Sequence, residues 1–106
     1  MYKILNKTTG QFIGYTKIAD TFWTRLKGLL GKKTGTLLLV PCRQVHSFFM
    51  RFTFDAVFLD RNNTVLEIVR MPPFRVSPYV AQAHAVLEIP NARFIRKGDL
   101  LEFIPG

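Results

Sequence analysis

The chain has one cysteine, Cys42, one tryptophan, Trp23, and only seven acidic residues against fifteen Lys and Arg in 106 residues. A lone cysteine has no internal partner, so a disulfide framework is excluded and a reducing compartment is compatible. Long apolar runs are also missing. The longest, Leu37 to Val40 and Ala56 to Leu59, fall far short of the roughly 18 to 20 residues that cross a bilayer. The first residues, Met1 to Lys7, carry neither a sustained apolar segment nor a small-residue cleavage site, so no secretory signal is read there. The expectation is a soluble, cytoplasmic protein with no membrane insertion. A phosphate-cradling glycine loop, a serine nucleophile elbow and a helical pair of metal-binding histidines are absent as well, which counts against several enzyme classes.

What is present is core material. The sequence is 48% hydrophobic and 13% aromatic, with ten Phe, and 21% charged. This is too apolar for a disordered chain and fits one domain over residues 1–106. The formal charge is +8, and residues 1–35 hold seven of the fifteen cations but only one carboxylate, Asp20. The cations alternate with apolar residues, as on the solvated face of folded elements, and make nucleic acid a partner to consider.

Periodicity gives the elements. Tyr2 to Leu5 and Gln11 to Tyr15 read as strands joined through Lys7-Thr8-Thr9-Gly10, a composition suited to a hairpin turn. Phe22, Trp23, Leu26, Leu29 and Leu30 then fall on one arc of a helical wheel, predicting an amphipathic helix over about 21–30, capped by Asp20 or Thr21 and ended by Gly31. Strands are expected at Thr36 to Val40, Phe48 to Phe52, Phe54 to Leu59 and Thr64 to Val69, and again at Ala85 to Ile89 and Leu100 to Ile104. Asn62-Asn63 tolerates positive φ and marks a hairpin. Three prolines between Pro72 and Pro78 make that segment a loop. A short helical turn is placed at Ala92 to Ile95. The fold class expected is a mainly β single domain, sandwich or barrel-like, with the one N-terminal helix.

Read in order, Arg25-x-x-Gly28-Leu29-Leu30-Gly31-Lys32, Pro41-Cys42-x-x-Val45-His46-x-Phe48-x-Met50-Arg51-Phe52, Asp55-x-x-Phe58-Leu59-Asp60, Val86-Leu87-Glu88-Ile89-Pro90 and Gly98-Asp99 resemble the DUF192 (UPF0127) family. The branch resembled is the one carrying the Pro-Cys and Val-His pieces. Phe49 stands where the commoner pattern has Trp, and Arg51-Phe52 where it has Lys-Asn-Thr. The resemblance implies a small, mainly β domain and leaves activity open.

The residues themselves suggest where chemistry would sit. Asp55 begins an almost wholly apolar strand and shares a face with Val57 and Leu59, so its carboxylate needs either a cation or a solvated cleft. Arg25 is the first candidate partner and Arg51 the second. One reading is a structural ion pair tying helix to sheet. The other is a polar cleft in which Arg25, His46, Arg51 and Asp55 bind a small ligand or a protein segment. Cys42, His46 and His84 are of the right types for a metal or thiol site, but nothing in their spacing marks a ligand set, and neither a metal nor a cofactor is expected. The aromatic run Phe48, Phe49, Phe52, Phe54 and Phe58 around Met50 reads as core. The function expected is a non-catalytic binding or accessory module. Nucleic-acid binding through the basic N-terminal third, with Tyr2, Tyr15 or Trp23 stacking, is the second reading. An enzyme using Asp55 and His46 as acid and base is the third.

Overall fold

A computed structural model describes residues 1–19, 36–48 and 50–106. They form seven strands: β1 (Tyr2–Asn6), β2 (Gln11–Ala19), β3 (Leu37–Leu39), β4 (Phe54–Leu59), β5 (Val65–Met71), β6 (Ala85–Ile89) and β7 (Leu101–Pro105). The strands make a single sheet in the order β5-β4-β6-β3-β2-β1-β7. Every neighbouring pair described by register is antiparallel except β2 with β3, which run parallel.

This corrects the expected architecture. The β content is one continuous sheet instead of two packed sheets, and no helix occurs among the described residues. The amphipathic segment at 21–30 lies outside the described residues. The described part of 48–52 is a turn, with Met50 N–H donating to Ser47 O at 3.2 Å, and not a strand. The strand Leu37–Leu39 is shorter than expected, and the chain bends after it at Val40 and Pro41.

The sheet curls until its edges meet at one corner. Thr64 and Leu100 form an antiparallel bridge, Val65 N–H donates to Asp99 O at 2.8 Å, and Leu101 N–H donates to Asn63 O at 3.0 Å. Asn6, wholly buried, fastens the same corner: its Nδ2 donates to Asp99 Oδ2 at 2.8 Å and to Phe94 O at 2.9 Å. The β4–β5 turn is the Asn pair anticipated, with Asn63 at φ 65° and Asp60 Oδ1 accepting from the Asn62 and Thr64 N–H groups at 2.9 Å each.

Side-chain alternation sends each strand's residues to two apolar clusters. On the inner face, Ile4, Leu38, Val57, Leu59, Leu87 and Leu101 pack together. On the outer face, Leu39, Val45, Met50, Phe54, Phe58 and Val86 form the second cluster. Strands β4 and β6 lie in the middle of the sheet and are buried on both faces. The second cluster is covered partly by the 41–52 and 72–83 segments. These are held to each other by the His46–Val76 bridge and by Ser47, whose hydroxyl donates to Pro72 O at 2.5 Å and accepts from Arg75 N–H at 2.9 Å.

Candidate functional site

The expected cleft residues are not brought together. Asp55 is buried, and both of its oxygens are engaged: Oδ2 accepts from the Ala92 N–H at 2.8 Å, and Oδ1 lies 3.4 Å from Arg70 Nε. Arg70 is its direct cross-strand neighbour on β5, so the strand pairing itself supplies the cation. Arg51 is exposed, with no ion pair to Asp55, and Arg25 lies outside the described residues. Asp55 fixes the 90–95 loop against the inner cluster, as a carboxylate capping a buried N–H does.

His46 is on the other side of the sheet. It lines a cavity of about 110 Å³ together with Leu37, Leu39, Cys42, Gln44, Val45 and Glu88. The alternation that turns Asp55 inward with Val57 and Leu59 turns Glu88, paired in register with Ala56 and Leu37, to the outer face. An acid–base pair of Asp55 and His46 acting on one substrate position is therefore not assembled.

Glu88 is the residue the sequence reading overlooked. It is 5% exposed, and its Oε2 is buried with no hydrogen-bond partner among the described residues. Burial pushes its carboxyl up from the ordinary 4.5 to about 7, because a low-dielectric surrounding disfavours the charged form. Buried polar atoms are nearly always satisfied, so one left open beside a cavity asks for an explanation. The signal lay in Val86-Leu87-Glu88-Ile89: alternation put Glu88 on the less buried face of β6, but β6 is a central strand whose outer face is also covered.

The cavity walls are mostly apolar. Leu37 and Leu39 come from β3, and Val45 from the segment that follows it. Cys42 Sγ donates to Gln44 O at 3.3 Å, and the Val45 N–H is held by Ser77 Oγ at 3.0 Å, which fixes the 42–45 wall. His46 stacks on Phe48 with ring centroids 4.9 Å apart. His84 lines a separate groove with Arg43 and Arg61. Among the described residues no three His, Cys, Asp or Glu side chains converge as a metal site, and no helix there is long and apolar enough to cross a membrane.

Comparison with known proteins follows the same outline. The DUF192 family model, described as Uncharacterized ACR, matches residues 4–103. A UPF0127 protein from Pyrococcus horikoshii is 32% identical over 97 residues, covering 85% of this chain and 83% of the relative. A UPF0127 protein from Thermococcus sibiricus is 31% identical over 96 residues, covering 82% of this chain; the match spans 62% of that relative's length. Two crystal structures share the fold. A protein of unknown function from Novosphingobium aromaticivorans has a TM-score of 0.77 at 20% identity, over 95% of this chain and 83% of that one. A putative transcription regulator from Sinorhizobium meliloti has a TM-score of 0.74 at 16% identity, over 96% and 91%.

Proposed function

The chain belongs to the DUF192 (UPF0127) family, whose function is not established, and from that premise we propose that it is a non-catalytic module that binds a small ligand in the Glu88 pocket. The observation that carries this reading is the buried Glu88 oxygen, without a hydrogen-bond partner among the described residues, beside a cavity with mostly apolar walls. Such a pocket, mostly apolar with a few polar groups, is the usual form of a small-molecule site. His46 stands on the wall of this pocket, away from Asp55. Asp55 and Arg70 serve the scaffold. The test is native mass spectrometry of the protein after incubation with a metabolite extract. The unmodified chain is expected to retain a small-molecule mass that Leu37→Phe, which fills the cavity from a half-buried position, does not. No retained mass, or equal retention by both, would overturn the reading.

A second reading, single-stranded nucleic acid, draws on a different observation. The β1–β2 register slips between Ile4 and Leu5, with Gly14 at φ 151°. This bulge puts Phe12 and Tyr15 side by side, edge to face at 5.6 Å, 48% and 53% exposed. Tyr15 pairs with Lys3 in register, and Lys17 follows it on the same face. Exposed aromatics among lysines stack bases while the cations meet phosphates. Fluorescence anisotropy with a labelled oligonucleotide tests it: binding at low salt that falls steeply with added salt and is lost in Phe12→Ala/Tyr15→Ala supports it, and no binding at low salt removes it.

A further inference from the structure

We infer that the Glu88 pocket takes an aliphatic ammonium group with a short carbon stem. This rests on the reading of that pocket as a ligand site and names the chemistry of its ligand. Glu88 lines the cavity and its buried Oε2 has no hydrogen-bond donor among the described residues, so a ligand that reaches it must bring one. No ion pair joins Glu88 to a cation among the described residues. The nearby Arg43 lines the separate groove, and its Nε donates to Ala83 O at 3.2 Å. An ammonium both donates to the carboxylate and balances its charge, and the pair is strongest where water is excluded.

The remaining walls set the body of the ligand. Leu37, Leu39 and Val45 offer only apolar surface, which suits methylenes. A cavity of about 150 Å³ accommodates benzene, so one of about 110 Å³ matches a group of about four or five non-hydrogen atoms. That is the size of a butylammonium, or of the end of a lysine side chain. A divalent metal fits poorly, since no three ligand side chains converge among the described residues. The other polar side chains on the wall are His46 and Gln44, whose Nε2 donates to Ser77 O at 3.0 Å.

Among the described residues, the titratable groups facing Glu88 are Cys42 and His46 from the 41–46 segment. Leu37 and Leu39 of β3 and Ala56 of β4 contribute none. Below neutrality Glu88 gains a proton, which weakens ammonium binding as pH falls.

The experiment is an NMR titration of the isotope-labelled full chain at pH 8 with n-butylamine, n-butanol and Nα-acetyl-lysine methylamide. Butylamine is expected to shift the amides of Leu39, Val45 and His46 with saturation, at least tenfold more tightly than butanol, and Glu88→Gln is expected to remove that preference. Binding of the lysine derivative equal to or tighter than butylamine identifies a lysine side chain as the source of the ammonium, and weaker binding identifies a free amine. If butanol binds as well as butylamine, the charge inference fails while the pocket reading stands. If neither moves the pocket amides, both fail. The amine–alcohol comparison on the unmodified chain keeps the test decisive even if Glu88→Gln does not fold.

Discussion

Two buried carboxylates, Asp55 and Glu88, sit on adjacent central strands and face opposite ways, and their surroundings give them opposite roles. Asp55 is satisfied by the Ala92 N–H and by Arg70, whose side chain is 62% exposed. Most of its value therefore lies in the N–H it caps, since an ion pair with so exposed a cation is worth little. Asp55→Ala is expected to cost about 1 to 3 kcal/mol in urea unfolding, the penalty for a buried donor left alone. Arg70→Ala should cost well under about 1 kcal/mol, and a larger effect from Arg70 than from Asp55 would reverse the assignment. Glu88 carries the opposite signature. Between the ordinary 4.5 and about 7, the folded chain holds a proton that the unfolded chain has released, so stability falls as pH rises through that window and levels off above it. The full effect is on the order of 3 kcal/mol at roughly 1.4 kcal/mol per unit. Thermal unfolding of the wild type should weaken from pH 5 to pH 8, and Glu88→Gln should lose most of that dependence; equal profiles would show that Glu88 does not titrate as described. That Asp55 is a buried acid in need of a partner was legible in its apolar strand. Its partner was not, because Arg70 is remote in sequence and only the β4–β5 register places it opposite.

At the level of elements, the strands followed from local pattern and the packing of their faces did not. The β4–β5 hairpin was announced by two β-rich runs around an Asn pair, and the N-terminal hairpin by its Thr-Thr-Gly turn. The order of the sheet depends on contacts distant along the chain, such as β1 with β7 and β6 between β3 and β4, which no local period encodes. The same holds for the outer wall of the pocket, where two irregular segments are stitched by the His46–Val76 bridge and by side chains that include Ser47 and Ser77. Ser47 is wholly buried, and its N–H, O–H and carbonyl all reach the 72–75 loop. That loop holds Phe74 at φ 63°, a conformation costing an aromatic residue about 1 to 3 kcal/mol unless its neighbours enforce it. Ser47→Ala removes the hydroxyl and leaves the Arg75 N–H and Pro72 carbonyl without it. It should destabilise by about 1 to 3 kcal/mol and speed hydrogen exchange at Arg75 far more than in β4. Unchanged exchange at Arg75 would show that the backbone bonds alone hold the wall.

For the molecule as a whole, the charge of +8 drew attention to anionic partners, while the least conventional group in the described residues is an acid. The two are compatible. The exposed Phe12, Tyr15, Lys3 and Lys17 lie toward the β7 edge of the sheet, and Glu88 lies nearer its centre on the same outer face. The family model covers nearly the whole chain and the fold recurs at low identity, but neither supplies an activity. What marks the chain out is one carboxyl group, Glu88, at a cavity and without a hydrogen-bond partner for its Oε2 among the described residues. Carbon-13 NMR of the Glu88 side-chain carboxyl, followed through pH with and without saturating n-butylamine, tests this most directly. The account predicts a midpoint near 7 in the free protein and a fall of at least about one pH unit when the amine is bound, since a paired cation favours the carboxylate. A free midpoint in the ordinary glutamate range, or one that the amine leaves unmoved, would contradict it.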